Sequence, residues 1–221
     1  MEETAGDPYD AARARMVAEQ LAGRDIADPA VLRAMRLVPR ERFVPRASRP
    51  YAYDDGPLPI PANQTISQPY VVAYMIAALA LRPGDRVLEI GAGSGYAAAV
   101  LSRIVAQVYT VERHAQLADY ARRRLAELGY DNVTVRHGDG TRGWPEHAPY
   151  DAIIVAAGGP AVPDSLRAQL APGGRLVMPV GRSRQQQTLV LVRRHADGSY
   201  TEERLAPVAF VPLIGEEGWG K

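Results

Sequence analysis

Runs of apolar residues without alternation recur through the second half of the chain, and the stretches between them carry helical periodicity. The runs at 86–90, 106–111, 151–156 and 173–180 read as strands, with a less apolar one at 132–136. Helices are predicted from the end of the first strand's turn to about residue 103, at 114–128 and at 163–170. In the second of these, Leu117, Ala121, Leu125 and Leu128 share a face, the arginines at 122–124 lie largely off it, and Gly129 suits the C-terminal cap. Apolar strands separated by helices imply a parallel sheet covered on both faces. Residues 187–194 and 200–205, joined by Ala-Asp-Gly-Ser, instead predict an antiparallel hairpin, and 208–214 is the last ordered stretch expected.

The first eighty residues have a different character. Met16, Val17 and Leu21 among alanines predict an amphipathic helix over 9–22, ending near Gly23. Asp28 and Pro29 open a second short helix with Val31, Leu32 and Met35 as its apolar stripe. Arg36, Arg40, Arg42 and Arg46 could hold a substrate carboxylate, but read more readily as a solvated face. Residues 45–69 sustain no pattern and are expected to form a long ordered loop, a length that usually carries function. Pro69 suits the first position of an apolar helix over 70–79, which sets Ser67, Gln68 and the free first-turn amides at the positive end of its dipole. A carboxylate could bind there; alternatively, Ser67 and Thr65 only cap and brace the helix. The expected organisation is an N-terminal helical and loop region over 1–80 on a domain spanning 81–221.

The candidate chemistry centres on Val87-Leu-Glu-Ile-Gly-Ala-Gly-Ser-Gly-Tyr96, a strand breaking into a glycine turn and then a helix. Gly91, Gly93 and Gly95 permit a sharp turn and close approach of a ligand to the main chain, and the Glu89 carboxylate would face the same crevice. The fold class expected is therefore α/β: a Rossmann-like, doubly wound, mostly parallel sheet. Tyr96 stands where a dinucleotide fingerprint wants its last glycine, which disfavours a nicotinamide oxidoreductase. Glu112 closes the second strand about twenty residues on, where a carboxylate can accept from both hydroxyls of a ribose. Asp139, in Gly138-Asp-Gly-Thr141, could pair with an adenine amino group or be an ordinary turn aspartate.

Composition narrows the partners. With 26 basic and 25 acidic residues the net charge is +1, giving no global attraction to nucleic acid or a membrane surface. The absence of cysteine removes disulfides, thiol nucleophiles and thiolate metal sites. His114, His137, His147 and His195 have no ligand spacing, so no metal is expected. The acidic start has no apolar run behind it and no run is long enough to span a bilayer, so the expectation is a soluble cytoplasmic protein without a signal peptide.

Taken together, Met16-Val-Ala-Glu-Gln-Leu21, Pro39-Arg-Glu-Arg-Phe-Val-Pro45, Gln64-Thr-Ile-Ser-Gln-Pro-Tyr70, the glycine turn, Gly143-Trp-Pro-Glu-His-Ala-Pro149 and Phe210-Val-Pro-Leu213 resemble the protein-L-isoaspartate O-methyltransferases nearly end to end. The resemblance implies S-adenosylmethionine as cofactor, S-adenosylhomocysteine as its product and L-isoaspartyl peptides and proteins as substrates of a monomer. Carried over by position, Ser67 is the active-site serine and also contacts substrate, and Val211 helps to hold the substrate backbone. Glu112 takes the ribose, Asp139 and Gly140 the adenine side, and Gly91, Gly93, Ser94 and Gly95 the methionine side. Thr65, Ile66, Gln68, Glu89 and Arg113 complete the implied cofactor set. The family commonly has glycine where this chain has Asn63, a residue tolerant of positive φ. Rival readings are a methyltransferase that installs a succinimide in a peptide natural product, and a silent cofactor-binding module.

Overall fold

In a computed structural model, residues 7–183 and 185–220 are described; residues 1–6 and 221, the outer ends of the two predicted regions, lie outside them. The predicted first helix divides into α1 (Asp10–Arg15) and a π-helical segment, Met16–Ala22, in which the Gly23 amide donates to the Ala18 carbonyl at 2.9 Å. Met16 and Leu21 are both fully buried. Five residues apart, they diverge by well over a quarter-turn in an α-helix, and the wider π turn brings them closer to one face. In α2 (Pro29–Leu37) the Asp28 carboxylate accepts from the Ala30 and Val31 amides, and Pro29 occupies the first position as expected.

The expected loop at 45–69 is more ordered than its sequence suggests. It contains a 3₁₀ segment, Arg46–Tyr51, and an antiparallel hairpin of β1 (Leu58–Ile60) and β2 (Gln64–Ile66). Ala62 and Asn63 form its turn at φ 60° and 55°, closed by the Gln64 amide on the Pro61 carbonyl at 3.3 Å. Two successive left-handed residues match the twist of paired strands. Helix α3 (Pro69–Ala78) follows, with Pro69 first.

Arg40 does not belong to a solvated face. Arg36 pairs with Asp10 at 2.7 Å, and Arg42 and Arg46 are exposed, but Arg40 is completely buried. Its Nε donates to the Ala52 carbonyl at 2.7 Å and its Nη2 to the Ser67 carbonyl at 2.8 Å.

The remaining elements are β3 (Arg86–Ile90), α4 (Tyr96–Ser102), β4 (Gln107–Glu112), α5 (Ala115–Glu127), β5 (Val133–His137), β6 (Tyr150–Val155), α6 (Asp164–Ala168), β7 (Leu170–Val180), β8 (Gln187–Arg194) and β9 (Tyr200–Val208). The main sheet has the order β5-β4-β3-β6-β7-β8-β9, parallel from β5 to β7 and antiparallel at β8 and β9. Helix α6 is shorter than predicted because β7 begins at Leu170, and β9 runs on to Val208. Successive strand residues feed opposite cores. Val87, Ala152 and Ile154 join Met16, Met35, Phe43 and Ile76 on one side, while Leu88, Ile90, Ile153 and Val155 join Leu166 and Met178 on the other. That two-sided burial removes polar alternation from these strands.

Ala62 provides a test of the hairpin turn. A left-handed conformation costs a Cβ-bearing residue about 1–2 kcal/mol, partly offset in glycine by greater unfolded-state entropy. Ala62→Gly is expected to stabilise the protein by about 0.5–1 kcal/mol, read as a higher urea midpoint; a lower midpoint contradicts the assigned turn.

Candidate active site

Strand β3 lies between β4 and β6, and the chain leaves it on opposite sides, so a crevice opens beyond its carboxyl end. The last sheet bonds before the opening run from the Gly91 amide to the Val111 carbonyl and from the Ala156 amide to the Ile90 carbonyl, both 2.8 Å. Gly91, Gly93 and Gly95 then take φ of 94°, 53° and 88°. A Cβ on Gly95 would already touch Ala121 and Leu125 at 3.4 Å, so this glycine lets α5 pack close beneath the turn.

Two buried carboxylates border the turn. Glu112, at the end of β4, accepts from the Gly93 amide at 2.9 Å and the His114 amide at 2.8 Å, bracing the glycine turn against the next element. Glu89 is 1% exposed; one oxygen accepts from the Thr110 hydroxyl at 2.5 Å, and the other, Oε1, has no partner. Burial, reinforced by the nearby Glu112 charge, pushes the Glu89 carboxyl up to about 8.

The opposite wall comes from the β1–β2 hairpin and the chain's last segment. The Ser67 carbonyl is held by Arg40, while its hydroxyl makes no hydrogen bond among the described residues. No side chain caps α3: Gln68 turns away, donating to the Asp55 carboxylate at 2.8 Å. The Val211 carbonyl accepts from Gly158 and the Leu213 amide donates back to Gly158, both at 2.8 Å. The buried Gln187 amide accepts from the Phe210 amide at 2.9 Å and donates to its carbonyl at 3.1 Å.

One cavity is lined by Thr65, Ile66, Ser67, Glu89, Gly91, Gly93, Ser94, Glu112, Arg113, Gly140 and Val211. Three residues of the expected set lie outside that lining. Gln68 is drawn to Asp55, and Gly95 sits beneath the turn. Asp139 accepts from the Thr141 amide and hydroxyl and from the Glu216 amide at 2.8–2.9 Å. Although burial opposes it, the Glu216 and Thr141 bonds hold the Asp139 carboxyl below the usual carboxylate range. Sequence reasoning missed the contributions of Gln64, Met75, His114 and Phe210 to the lining. Phe210 stood in a quoted motif, whereas Met75 and His114 had no local signal beyond helix periodicity and helix start. No group of three or more metal-ligating side chains occurs among the described residues.

A glycine turn at the switch point, an acid closing the next strand and an antiparallel sheet edge define a class I methyltransferase fold. A solved protein-L-isoaspartate O-methyltransferase matches it with a TM-score of 0.83 at 32% identity, over 93% of this chain and 67% of that one. A putative Plasmodium falciparum protein-L-isoaspartate O-methyltransferase, solved in complex with S-adenosyl-L-homocysteine, matches with a TM-score of 0.77 at 26% identity, over 91% and 98%. Among curated proteins, Protein-L-isoaspartate O-methyltransferase 2 of Pelobacter propionicus is 64% identical over 92% of this chain and 91% of its own. Its counterpart in Pelotomaculum thermopropionicum is 61% identical over 94% and 90%. The model of the protein-L-isoaspartate (D-aspartate) O-methyltransferase family matches residues 12–218, and the chain belongs to that family.

Glu89 gives the ligand-free protein a pH signature. Its folded-state value is raised from the ordinary 4.5 to about 8, so between these limits the folded protein binds more protons than the unfolded chain. Its contribution to stability is fully present below about 4.5 and lost as pH rises to about 8. Urea midpoints measured from pH 4 to 9 should therefore fall for the wild type relative to Glu89→Gln across that window; parallel curves would show that Glu89 is not held protonated.

Proposed function

We propose that this cavity seats S-adenosylmethionine along the glycine turn and brings the carboxylate of an L-isoaspartyl residue to it over Ser67. The observation that carries this reading is the convergence of Gly91, Gly93, Glu89 and Glu112 with Ser67 and Val211 on one cavity. The residues present fit the cofactor. Glu89 offers a buried, unpartnered oxygen suited to an ammonium, and Gly93, at φ 53° on the cavity wall, lacks the Cβ that would fill the space between the turn and Ile60, 3.5 Å away. The Glu112 oxygens each retain a lone pair for a ribose hydroxyl.

In this assignment Glu89, Gly91, Gly93, Ser94, Glu112, Arg113 and Gly140 bind the donor, with Thr65 and Ile66 closing over it. Gly95 acts by shaping the turn, Asp139 through Gly140 and Gln68 by tying the start of α3 to Asp55. Residues 1–80 carry most of the acceptor side and 81–221 the donor side, with Val211 holding the substrate backbone. When bound, S-adenosylmethionine supplies an electrophilic methyl group on a sulfonium. The acceptor carboxylate is already ionised near neutral pH, so no general base is required. What the chain provides is orientation and exclusion of water: the free Ser67 hydroxyl donates to one carboxylate oxygen and leaves the other directed at the donor. The backbone amide nitrogen of the following residue then attacks the ester carbonyl and loses its proton as methanol is expelled, giving a succinimide that water reopens partly to normal aspartate, and repair proceeds by repeated passes.

In this reading the protein is a cytoplasmic monomer without a nucleic-acid partner, and the near balance of charge supports the last of these, since it gives no global attraction to a polyanion. No described helix is long and apolar enough to cross a membrane. A dedicated natural-product role is not favoured, because relatives at 60% identity and above carry the isoaspartate name.

Labelled S-adenosylmethionine should transfer base-labile label to an isoaspartyl peptide and not to its aspartyl twin; label on neither would overturn the reading. Ser67→Ala is expected to lower turnover about 10–100-fold, as for loss of one oriented donor, with S-adenosylhomocysteine affinity within about threefold. Equal losses in both would remove Ser67 from the acceptor side. Glu112→Ala should weaken S-adenosylhomocysteine by about tenfold or more in calorimetry. An unchanged dissociation constant would exclude the ribose role.

A further inference from the structure

We propose that Arg40 is the positioning residue for the acceptor carboxylate: from inside the fold it fixes the Ser67 carbonyl and gives the Ser67 loop a positive charge that no described carboxylate neutralises. This rests on the reading of Ser67 as the acceptor side.

Arg40 is 0% exposed. Its guanidinium joins three parts of the chain, and two of its partners, Ser67 and Tyr96, line the cavity. Nη2 donates to the Ser67 carbonyl at 2.8 Å, Nε donates to the Ala52 carbonyl at 2.7 Å, and Cζ stands 4.8 Å from the ring centre of Tyr96. Tyr96 directly follows Gly95, so the same side chain braces the acceptor loop and the element that leaves the glycine turn.

The charge is buried without a matching anion. Nη1 is buried without an acceptor, and among the described residues no carboxylate lies within ion-pair distance of Arg40. The adjacent Glu41 is engaged elsewhere, by the Tyr53 hydroxyl at 2.5 Å and by Arg13 at 3.5 Å. Burial pulls the Arg40 guanidinium below its ordinary range, yet an arginine side chain remains protonated. An isolated buried cation is costly, and two carbonyls with an aromatic face offset only part of that cost. Arrival of an isoaspartyl carboxylate near Ser67 would offset more of it, favouring an ionised acceptor over a neutral group of the same shape. A side chain that served only as a carbonyl staple would show no such preference.

The test uses the full-length protein saturated with S-adenosylhomocysteine. Dissociation constants are measured for an isoaspartyl peptide and for its isoasparaginyl twin, in which the acceptor carboxylate is a neutral carboxamide. The wild type should prefer the carboxylate. Arg40→Met, which keeps volume and loses charge, should reduce that preference about tenfold or more while S-adenosylhomocysteine affinity stays within about threefold. Arg40→Lys keeps the charge but cannot span both carbonyls; it should retain most of the preference and lose turnover about tenfold. An undiminished preference in Arg40→Met overturns the proposal while leaving the Ser67 reading intact. If that variant does not fold, Arg40→Lys decides, and wild-type turnover in it overturns the proposal. A wild type that does not distinguish the two peptides overturns the Ser67 reading, and the Arg40 role with it.

Discussion

Everything at the site depends on two backbone hydrogen bonds at the end of β3. Once the Gly91 amide has met Val111 and the Ile90 carbonyl has met Ala156, the central strand has no further partner on either side. Its neighbours diverge, and a polar backbone left there must turn sharply, find a substitute acceptor or bind something. The chain does the first with glycines in left-handed conformations and the second with Glu112, whose carboxylate takes the Gly93 and His114 amides. The crevice is thus a consequence of sheet topology, and its polarity follows from which backbone groups the topology leaves unpaired.

The N-terminal layer meets a different constraint, the burial of charge. Arg13, 6% exposed, donates to the Tyr53 hydroxyl at 2.7 Å; Tyr53 in turn donates to Glu41 at 2.5 Å and accepts from the Arg40 amide at 3.2 Å. Burial and the Glu41 carboxylate both push the Tyr53 hydroxyl's pKa upward, so it stays protonated and able to bridge. These bonds tie α1 and the segment after α2 to the loop that ends at Ser67. A network of this kind adds little net stability compared with an apolar core, but it admits few alternative arrangements, which fixes the loop whose end lines the cavity.

The elements legible in the sequence are those whose cause is local. Two-sided burial wrote apolar runs into β3, β4 and β6; Asp28 with Pro29 announced α2; Gly129, at φ 70°, ended α5. Glu89, Gly91, Gly93 and Glu112 could be placed near one another because strand, turn and acid follow at fixed spacing. The hairpin at 58–66 was not legible, since each strand is three residues long and its turn sets an alanine at positive φ. Arg40 was misread for a related reason. Its partners are carbonyls 12 and 27 residues away, and backbone acceptors leave no mark on composition.

The chain's last described residues show how distant partners complete a site. Phe210 is clamped by both functions of the Gln187 amide, and Val211 and Leu213 pair with Gly158. Beyond them the Trp219 ring nitrogen donates to the Gly158 carbonyl at 2.9 Å, while the Glu216 and Glu217 amides donate to Asp139 and Thr141. Gly215 passes so close that a Cβ there would lie 2.1 Å from the Asp139 carboxylate, so only glycine admits this route. The segment from Phe210 to Trp219 is therefore fastened at both ends, with its cavity-lining residues between them. One fastening is to the turn that follows β5. Asp139 thereby acquires a structural duty that its position in a short acidic turn does not disclose: through the Glu216 amide it ties the turn after β5 to the segment whose Val211 lines the cavity.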